Sequence, residues 1–172
     1  MARRLPSKFK YDGAISFAGE NRNIAKSLAE KLKAKGLSVF FVEDHILTLW
    51  GKGREEFEKV YSKESRYVIP IIAKHYVKKD WTQHEFGTAV REQRERDEEF
   101  ILAIRVDNSR ILGLHDDKVF CSLNDFDLDQ IASFFEAKVR ASKPANSAAE
   151  DKLTRYCRIS WMEVNGRAAY PW

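Results

Sequence analysis

The residues of this 172-residue chain with the clearest chemical potential lie in the run Trp81-Thr82-Gln83-His84-Glu85. A helix through this run sets the Trp81 indole and the Glu85 carboxylate four residues apart, on one face and one above the other. In the first turn of such a helix, the positive end of the helix dipole holds a carboxylate ionised. An anionic carboxylate beside an aromatic wall suits the stabilisation of positive charge as it develops in a bound molecule. A structural reading competes with this one. Thr82-x-x-Glu85 has the form of a capping box, in which Glu85 bonds back to the Thr82 backbone. Trp81 reads either as helix-entry packing or as a wall for a ligand, and His84, which points away from Glu85, reads as an exposed polar residue.

Positioning that pair requires a sheet, and the apolar pattern supplies one. Tyr11–Ala18 and Leu37–Val42 read as buried strands, followed by Tyr67–Ala73, Phe100–Val106 and the short Val119–Leu123. Pro70 within the third should remove one ladder hydrogen bond and hints at a bulge. Between the strands, Ile24, Leu28 and Leu32 with Ala25 and Ala29 make one helical stripe that Gly36 stops. Glu55–Ser65 carries Phe57, Val60 and Tyr61 on one side, a helix is expected from about Trp81 to Arg96, and Leu128–Val139 forms a last helix with Asp127 as N-cap. Continuous apolar strands alternating with single helices predict an α/β fold: a flavodoxin-like, doubly wound, five-stranded parallel sheet. Such sheets bind ligands beyond the carboxyl ends of their strands, which here means Ser16–Arg22, Glu43–Arg54 and Ala73–Glu85.

Composition bounds the alternatives. With 44% hydrophobic and 33% charged residues, the chain suits one globular body and not two independent cores. No apolar run approaches the roughly 18 residues of a membrane helix, and the N-terminal residues lack the apolar stretch of a secretory signal. Cys121 and Cys157 lie far apart and read as free thiols, Cys121 buried at the fifth strand, so the expected compartment is the reducing cytoplasm. The net charge of +4 is concentrated at the ends. Residues 1–10 form a basic arm holding Arg3, Arg4, Lys8 and Lys10, and the chain from Ala137 onward holds seven Lys/Arg against three Asp/Glu. The middle is mildly acidic, so nucleic acid is not the expected partner of the body, nor is a membrane. His45, His75 and His115 form no metal-ligand spacing, and no metal is expected. The body is assigned to residues 11–140; residues 141–172 form a linker (Ser142–Ala149) and a C-terminal extension. The extension holds Trp161, Tyr170 and Trp172, three large rings that predict docking back onto the body.

Several doubly wound families are excluded by the first and third strand ends. A phospho-receiver needs an acidic pair after strand one and an aspartate ending strand three, where this chain has Ser16-Phe17-Ala18 and Ala73-Lys74. Ala18-Gly19-Glu20-Asn21 is neither a G-x-G-x-x-G turn nor a hydroxyl-rich phosphate loop.

Taken in order, Tyr11-Asp12-Gly13-Ala14-Ile15-Ser16-Phe17-Ala18-Gly19-Glu20-Asn21-Arg22, Val39-Phe40-Phe41 with its long following loop, Leu49-Trp50-Gly51-Lys52, Tyr67–Ile72 with Ala73-Lys74-His75-Tyr76, and Trp81-Thr82-Gln83-His84-Glu85 resemble the Toll/interleukin-1 receptor (TIR) domains, in the form found in short bacterial proteins. The likeness covers about residues 9–140. One departure is the second loop, where Trp50-Gly51-Lys52-Gly53 replaces the proline–glycine turn common in animal members.

The resemblance implies an enzyme that cleaves NAD+ at the nicotinamide–ribose bond, with NAD+ as substrate and no separate cofactor. Glu85 matches the family's catalytic glutamate, which follows a tryptophan by four residues. Expulsion of neutral nicotinamide leaves oxocarbenium character on the ribose, so one carboxylate suffices and no general acid is required. Capture by water gives ADP-ribose, and capture by an adenine nitrogen gives a cyclic isomer. By the same resemblance Phe17, Ala18, Arg22, Asp44, Trp50, Lys52 and Trp81 contact the substrate. Phe17 reads alternatively as the end of a buried strand, Arg22 as a solvated charge at a helix start, and Trp50, Lys52 and Arg54 as exposed or self-association residues. Assembly through the 43–54 loop and a role in bacterial antiviral defence are also implied. Two other readings remain open: a non-catalytic TIR interaction module in which Glu85 only caps, and a nucleoside deoxyribosyltransferase-like enzyme.

Overall fold

The strand Tyr11–Phe17 (β1) carries the fold, because it pairs with β3 along its whole length and with β2 on its other side at Gly13 and Ala14. The computed structural model describes residues 9–96, 99–111 and 119–142, and of Arg54 and residues 80–83 the backbone only. Along the chain, β1 is followed by helix α1 (Arg22–Ala34), β2 (Val39–Phe40), the one-turn α2 (Ile46–Leu49), α3 (Arg54–Lys59), β3 (Ser65–Ile72), α4 (Lys74–Lys78), α5 (Asp80–Arg96), β4 (Ile104–Arg105), β5 (Cys121–Ser122) and α6 (Leu128–Ala141). All pairs are parallel and the sheet order is β2-β1-β3-β4-β5, the doubly wound α/β arrangement expected from the apolar pattern. The order reverses between β1 and β3, so the crevice at their carboxyl ends is the place for a ligand.

Helices cover both faces of the sheet. Ala25, Leu28, Ala29 and Leu32 of α1, with Ile131, Ala132, Phe135 and Val139 of α6, bury Ile15, Ile69, Ile71 and Ile104. The other face joins Ala14, Val68 and Phe40 to Val60, Tyr61, Ala89 and Phe100. Beside it, Ala18 and Ile72 pack with Tyr76 and Phe86. Gly13 has a packing reason: a Cβ there would stand 2.7 Å from Phe135 Cζ, so only glycine lets the phenyl of α6 press on β1. Gly36 ends α1 at φ 77°, as its position after the apolar stripe predicts.

The strands are shorter than the apolar runs. β2 spans two residues because Phe41, still extended, hands the chain to a 3-10 turn over Val42–His45. Of Phe100–Val106, only Ile104–Arg105 forms a ladder, with one isolated bridge at Val68–Ile101. Pro70 accounts for the gap. Val68 N donates to Phe100 O at 2.9 Å and Leu102 N to Val68 O at 2.9 Å, so the next bond would need the N–H that proline lacks. The lost hydrogen bond is as expected, but the bulge is absent, since β1 and β3 keep one register from Tyr11–Ser65 to Phe17–Ile71.

The segment expected as one helix over Glu55–Ser65 is instead two pieces. After Lys59 it widens into a π-helical turn, Val60–Glu64, and β3 begins at once at Ser65. Arg96, at the end of α5, caps the junction by donating to Ser65 O at 3.2 Å and to Ser62 O. The turn buries Val60 and Tyr61, and the Tyr61 hydroxyl donates to Ile15 O of β1 at 3.1 Å.

Asp127 caps α6 as predicted, accepting from Gln130 N at 2.8 Å while the Gln130 side chain accepts from Asp127 N at 3.0 Å. Asp127→Ala is expected to destabilise the fold by about 1 kcal/mol, measured by denaturant unfolding. Lys10, the end of the basic arm, pairs with Glu64 at 3.3 Å. Residues 1–8 and 143–172 lie outside the described residues, and with them the expected linker, Cys157 and the docking of Trp161, Tyr170 and Trp172. His115 does too.

Candidate active site

Period-two alternation along β1 sends Ile15 and Phe17 toward α1 and α6 and Ser16 toward α4 and α5. Ser16 therefore stands on the α5 side of the strand's carboxyl end. Its hydroxyl donates to Glu85 Oε2 at 2.6 Å and lies 2.8 Å from the Tyr76 hydroxyl. Tyr61 arrives from the π turn at the same carboxylate. Ser16, Tyr61 and Tyr76 are fully buried and Glu85 is 6% exposed. Four elements thus converge on one carboxylate: β1, the π turn, α4 and α5.

Burial pushes the Tyr61 phenol well above its ordinary range, and the charge of Glu85 beside it pushes the same way. Burial also raises the Tyr76 phenol, with the Glu85 carboxylate adding to it and the Ser16 hydrogen bond opposing. Both phenols stay protonated and act as neutral hydroxyls around the acid. Raised folded-state values mean a contribution that is intact below the unfolded tyrosine value of 10.0 and is lost as pH rises past it. Denaturant midpoints should accordingly fall above about pH 10, and fall less steeply in Tyr76→Phe.

The helix that bears Glu85 starts earlier than expected. Lys79, extended at φ −96° and ψ 127°, separates α4 from α5, and α5 begins at Asp80. Thr82 lies inside the helix, so it is not an N-cap and the Thr82–Glu85 capping box does not form. Glu85 lies in the second turn, not the first, and the dipole effect falls off within the first. The Ser16 hydroxyl of β1 donates to its carboxylate. The side chain of Trp81 lies outside the described residues. His84 is half-buried against Glu58 of α3 and ties the two helices together, which corrects its reading as an exposed residue.

Of the remaining candidates, Ala18 packs beside the Glu85 cluster, against Tyr76 and Phe86. Phe17 is half-buried on the opposite face of the sheet, stacked on Phe41 at 5.5 Å, as its strand-end reading predicts. Ala18 is buried, and its carbonyl starts the turn into α1 by accepting from Asn21 N at 2.8 Å. Arg22 pairs with Glu43 at 2.7 Å and joins the first loop to the segment after β2. Asp44 pairs with Lys33 of α1. Trp50 and Lys52 are exposed on that same segment, which turns at Gly51 with φ 80°. Cys121 is half-buried, and burial raises its thiol.

Ser16, Tyr61 and Tyr76 are the residues that sequence reasoning did not single out. The signal available was Ser16 itself, a hydroxyl near the carboxyl end of a largely apolar strand, in phase with Ala14 and so beneath the helices of one face. Among the described residues no group of three or more His, Cys, Asp and Glu is arranged to hold a metal ion, and no helix is long and apolar enough to cross a membrane.

Comparison with known proteins connects this geometry to a family. The family model described as TIR domain matches residues 14–138. The 3' cyclic ADP-D-ribose synthase AaTIR of Aquimarina amphilecti is 32% identical over 133 residues, which is 77% of this chain and 41% of that protein. The NAD(+) hydrolase TcpA of Theionarchaea archaeon is 34% identical over 90 residues, 52% of this chain and 27% of that protein. The chain thus matches less than half the length of either relative. Among solved structures, the TIR domain of the Toll-related receptor TRR-2 from Hydra magnipapillata has a TM-score of 0.60 at 16% identity, over 76% of this chain and 98% of that one. A TIR-STING receptor from C. gigas, solved with 2',3'-cGAMP, has a TM-score of 0.64 at 17% identity, over 94% of this chain and 54% of that one. At these identities the likeness is one of fold.

Proposed function

The chain belongs to the TIR domain family, and from that premise we propose that it cleaves the nicotinamide–ribose bond of NAD+. The products are nicotinamide and ADP-ribose or a cyclic isomer. The observation that carries this reading is a buried carboxylate, Glu85, at the carboxyl end of β1 beside the point where the strand order reverses. Relatives at 32% and 34% identity are named for acting on NAD+ or for making a cyclic ADP-ribose, which supports the same chemistry.

In the proposed reaction the bond between ribose C1′ and the nicotinamide nitrogen breaks, and its electron pair leaves with the nicotinamide. That leaving group becomes neutral and needs no proton. Positive charge then spreads over C1′ and the ring oxygen, and the Glu85 carboxylate opposes it in a site shielded from water, where such an interaction is strongest. Water adding to C1′ releases one proton and gives ADP-ribose; an internal nucleophile gives a cyclic product. Trp81, Phe17, Ala18, Arg22, Asp44, Trp50 and Lys52 are the proposed substrate contacts. Trp50 and Lys52 are exposed to solvent, which fits a site completed by a neighbouring molecule. Self-association, a cytoplasmic setting and service in bacterial antiviral defence belong to the same proposal.

A second reading, a non-catalytic interaction module, draws on the exposed apolar side chains Ile46, Leu47 and Trp50. Incubation of purified protein with NAD+, and separately with deoxynucleosides, distinguishes these readings and the deoxyribosyltransferase-like one. Nicotinamide release is the expected result. Turnover of deoxynucleosides alone, or of neither substrate at any protein concentration, overturns the proposal.

A further inference from the structure

We propose that Ser16 is a positioning residue for Glu85, at the middle of a buried hydroxyl relay that runs from Tyr76 through Ser16 to the carboxylate. For its catalytic meaning this rests on the NAD+-cleaving reading above.

The direction of the relay follows from the chemistry of its members. An ionised carboxylate only accepts, so at 2.6 Å the Ser16 proton goes to Glu85 Oε2. Ser16 has one proton and has spent it, so in the 2.8 Å contact with Tyr76 the phenol donates and the serine accepts. Each hydrogen bond therefore polarises the next toward the carboxylate. The relay is also rigid. Ser16 belongs to an interior strand of the sheet, opposite Pro70 of β3, while Tyr76 and Ser16 are 0% and 1% exposed. Neither hydroxyl has water to turn to, so the bond holds Oε2 against β1 and fixes the plane of the carboxylate. Burial keeps the Tyr76 phenol protonated, so the relay keeps its direction.

A group that only helped the protein fold would lower stability and leave the reacting geometry alone. Here the consequence should appear at the carboxylate. Rotational freedom at Glu85 misaligns the charge with C1′ in the transition state, which lowers kcat while leaving ground-state binding of NAD+ nearly unchanged.

The test is a double-mutant cycle on the full chain with NAD+, accompanied by the 13C signal of the Glu85 carboxyl, assigned by its loss in Glu85→Gln. Ser16→Ala is expected to lower kcat about tenfold or more with KM within about twofold, a scale set by one hydrogen bond to a charged group. Ser16→Thr, which keeps the hydroxyl, should recover most of that loss, and Tyr76→Phe should show a smaller loss of the same kind. In the Glu85→Gln background Ser16→Ala should cause no further fall, and the carboxyl 13C signal should move and broaden in Ser16→Ala alone. If the wild type is active and Ser16→Ala matches it, or if its loss persists undiminished beside Glu85→Gln, the proposal is overturned. If the wild type releases no nicotinamide, the NAD+-cleaving reading is what fails. The 13C signal then decides the relay by itself: a shift in Ser16→Ala supports it, and an unchanged signal overturns it.

Discussion

Glu85→Gln is expected to give a folded protein whose release of nicotinamide from NAD+ is slower by about a hundredfold or more. Glutamine matches glutamate in size, and its amide oxygen still accepts the Ser16 hydroxyl that now reaches Oε2 at 2.6 Å. The substitution therefore removes the charge and keeps the packing. Loss of one preorganised electrostatic group in a dry site lowers kcat by about two to three orders of magnitude. KM should change little, because the lost interaction strengthens only as C1′ becomes cationic. Circular dichroism and thermal melting check the fold, and nicotinamide release checks the chemistry. A glutamine variant that folds and cleaves NAD+ at the wild-type rate would remove Glu85 from the reaction. The change is more informative than Glu85→Ala, which would leave the Ser16 hydroxyl facing a cavity and confuse stability with catalysis.

How far the sequence led to this carboxylate depended on the kind of information each step needed. The sheet was legible because apolar runs such as Tyr11–Ala18 and Tyr67–Ala73 are too continuous for anything but buried parallel strands. Gly36 and Asp127 were legible because helix ends are decided by local chemistry, and both sit where that chemistry requires. The ladder lengths were not legible. Whether Leu37 or Phe100 pairs depends on neighbouring strands and on Pro70, which interrupts the β3–β4 ladder from within. The π turn at Val60–Glu64 was hidden for a related reason: the sequence shows the apolar face of a helix but not the extra residue by which the helix widens.

The site divides along the same line. Glu85 could be picked from its residue type, its spacing to Trp81 and its likeness to TIR domains. Its surroundings could not. The capping-box pattern at Thr82 was a plausible local reading, defeated by where Lys79 leaves α4 and so by where α5 begins. Ser16, Tyr61 and Tyr76 come from three separate elements, 69, 24 and 9 positions before Glu85, and nothing in one segment announces the others. A polar cluster that forms only when four elements close on one point is information held by the packing.

Activity is expected to depend on assembly, and Trp50→Ala to abolish that dependence. The segment after β2 carries three large apolar side chains in solvent: Ile46 at 54% exposure, Leu47 at 89% and Trp50 at 82%. They are grouped by one helical turn and the bend at Gly51, and they leave a patch whose burial would be favourable. Tryptophan beside cations such as Lys52 is the composition of an interface anchor, where one residue can carry a large share of the binding energy. With most of their surface in solvent, these side chains are available to a neighbouring molecule. If a neighbour's segment completes the site, mass action makes specific activity fall about tenfold for each tenfold dilution once most of the protein is monomeric. Trp50→Ala should then stay folded, with a melting temperature close to wild type, because an indole this exposed contributes little to the monomer's own packing. Its activity should remain low and its specific activity flat across the dilution series. Sedimentation velocity should show the wild type associating over the range in which activity rises, and the variant monomeric throughout. A wild type with constant specific activity from nanomolar to high micromolar concentration, monomeric at every point, would show that one molecule encloses the substrate alone and that the exposed Trp50 serves some other contact.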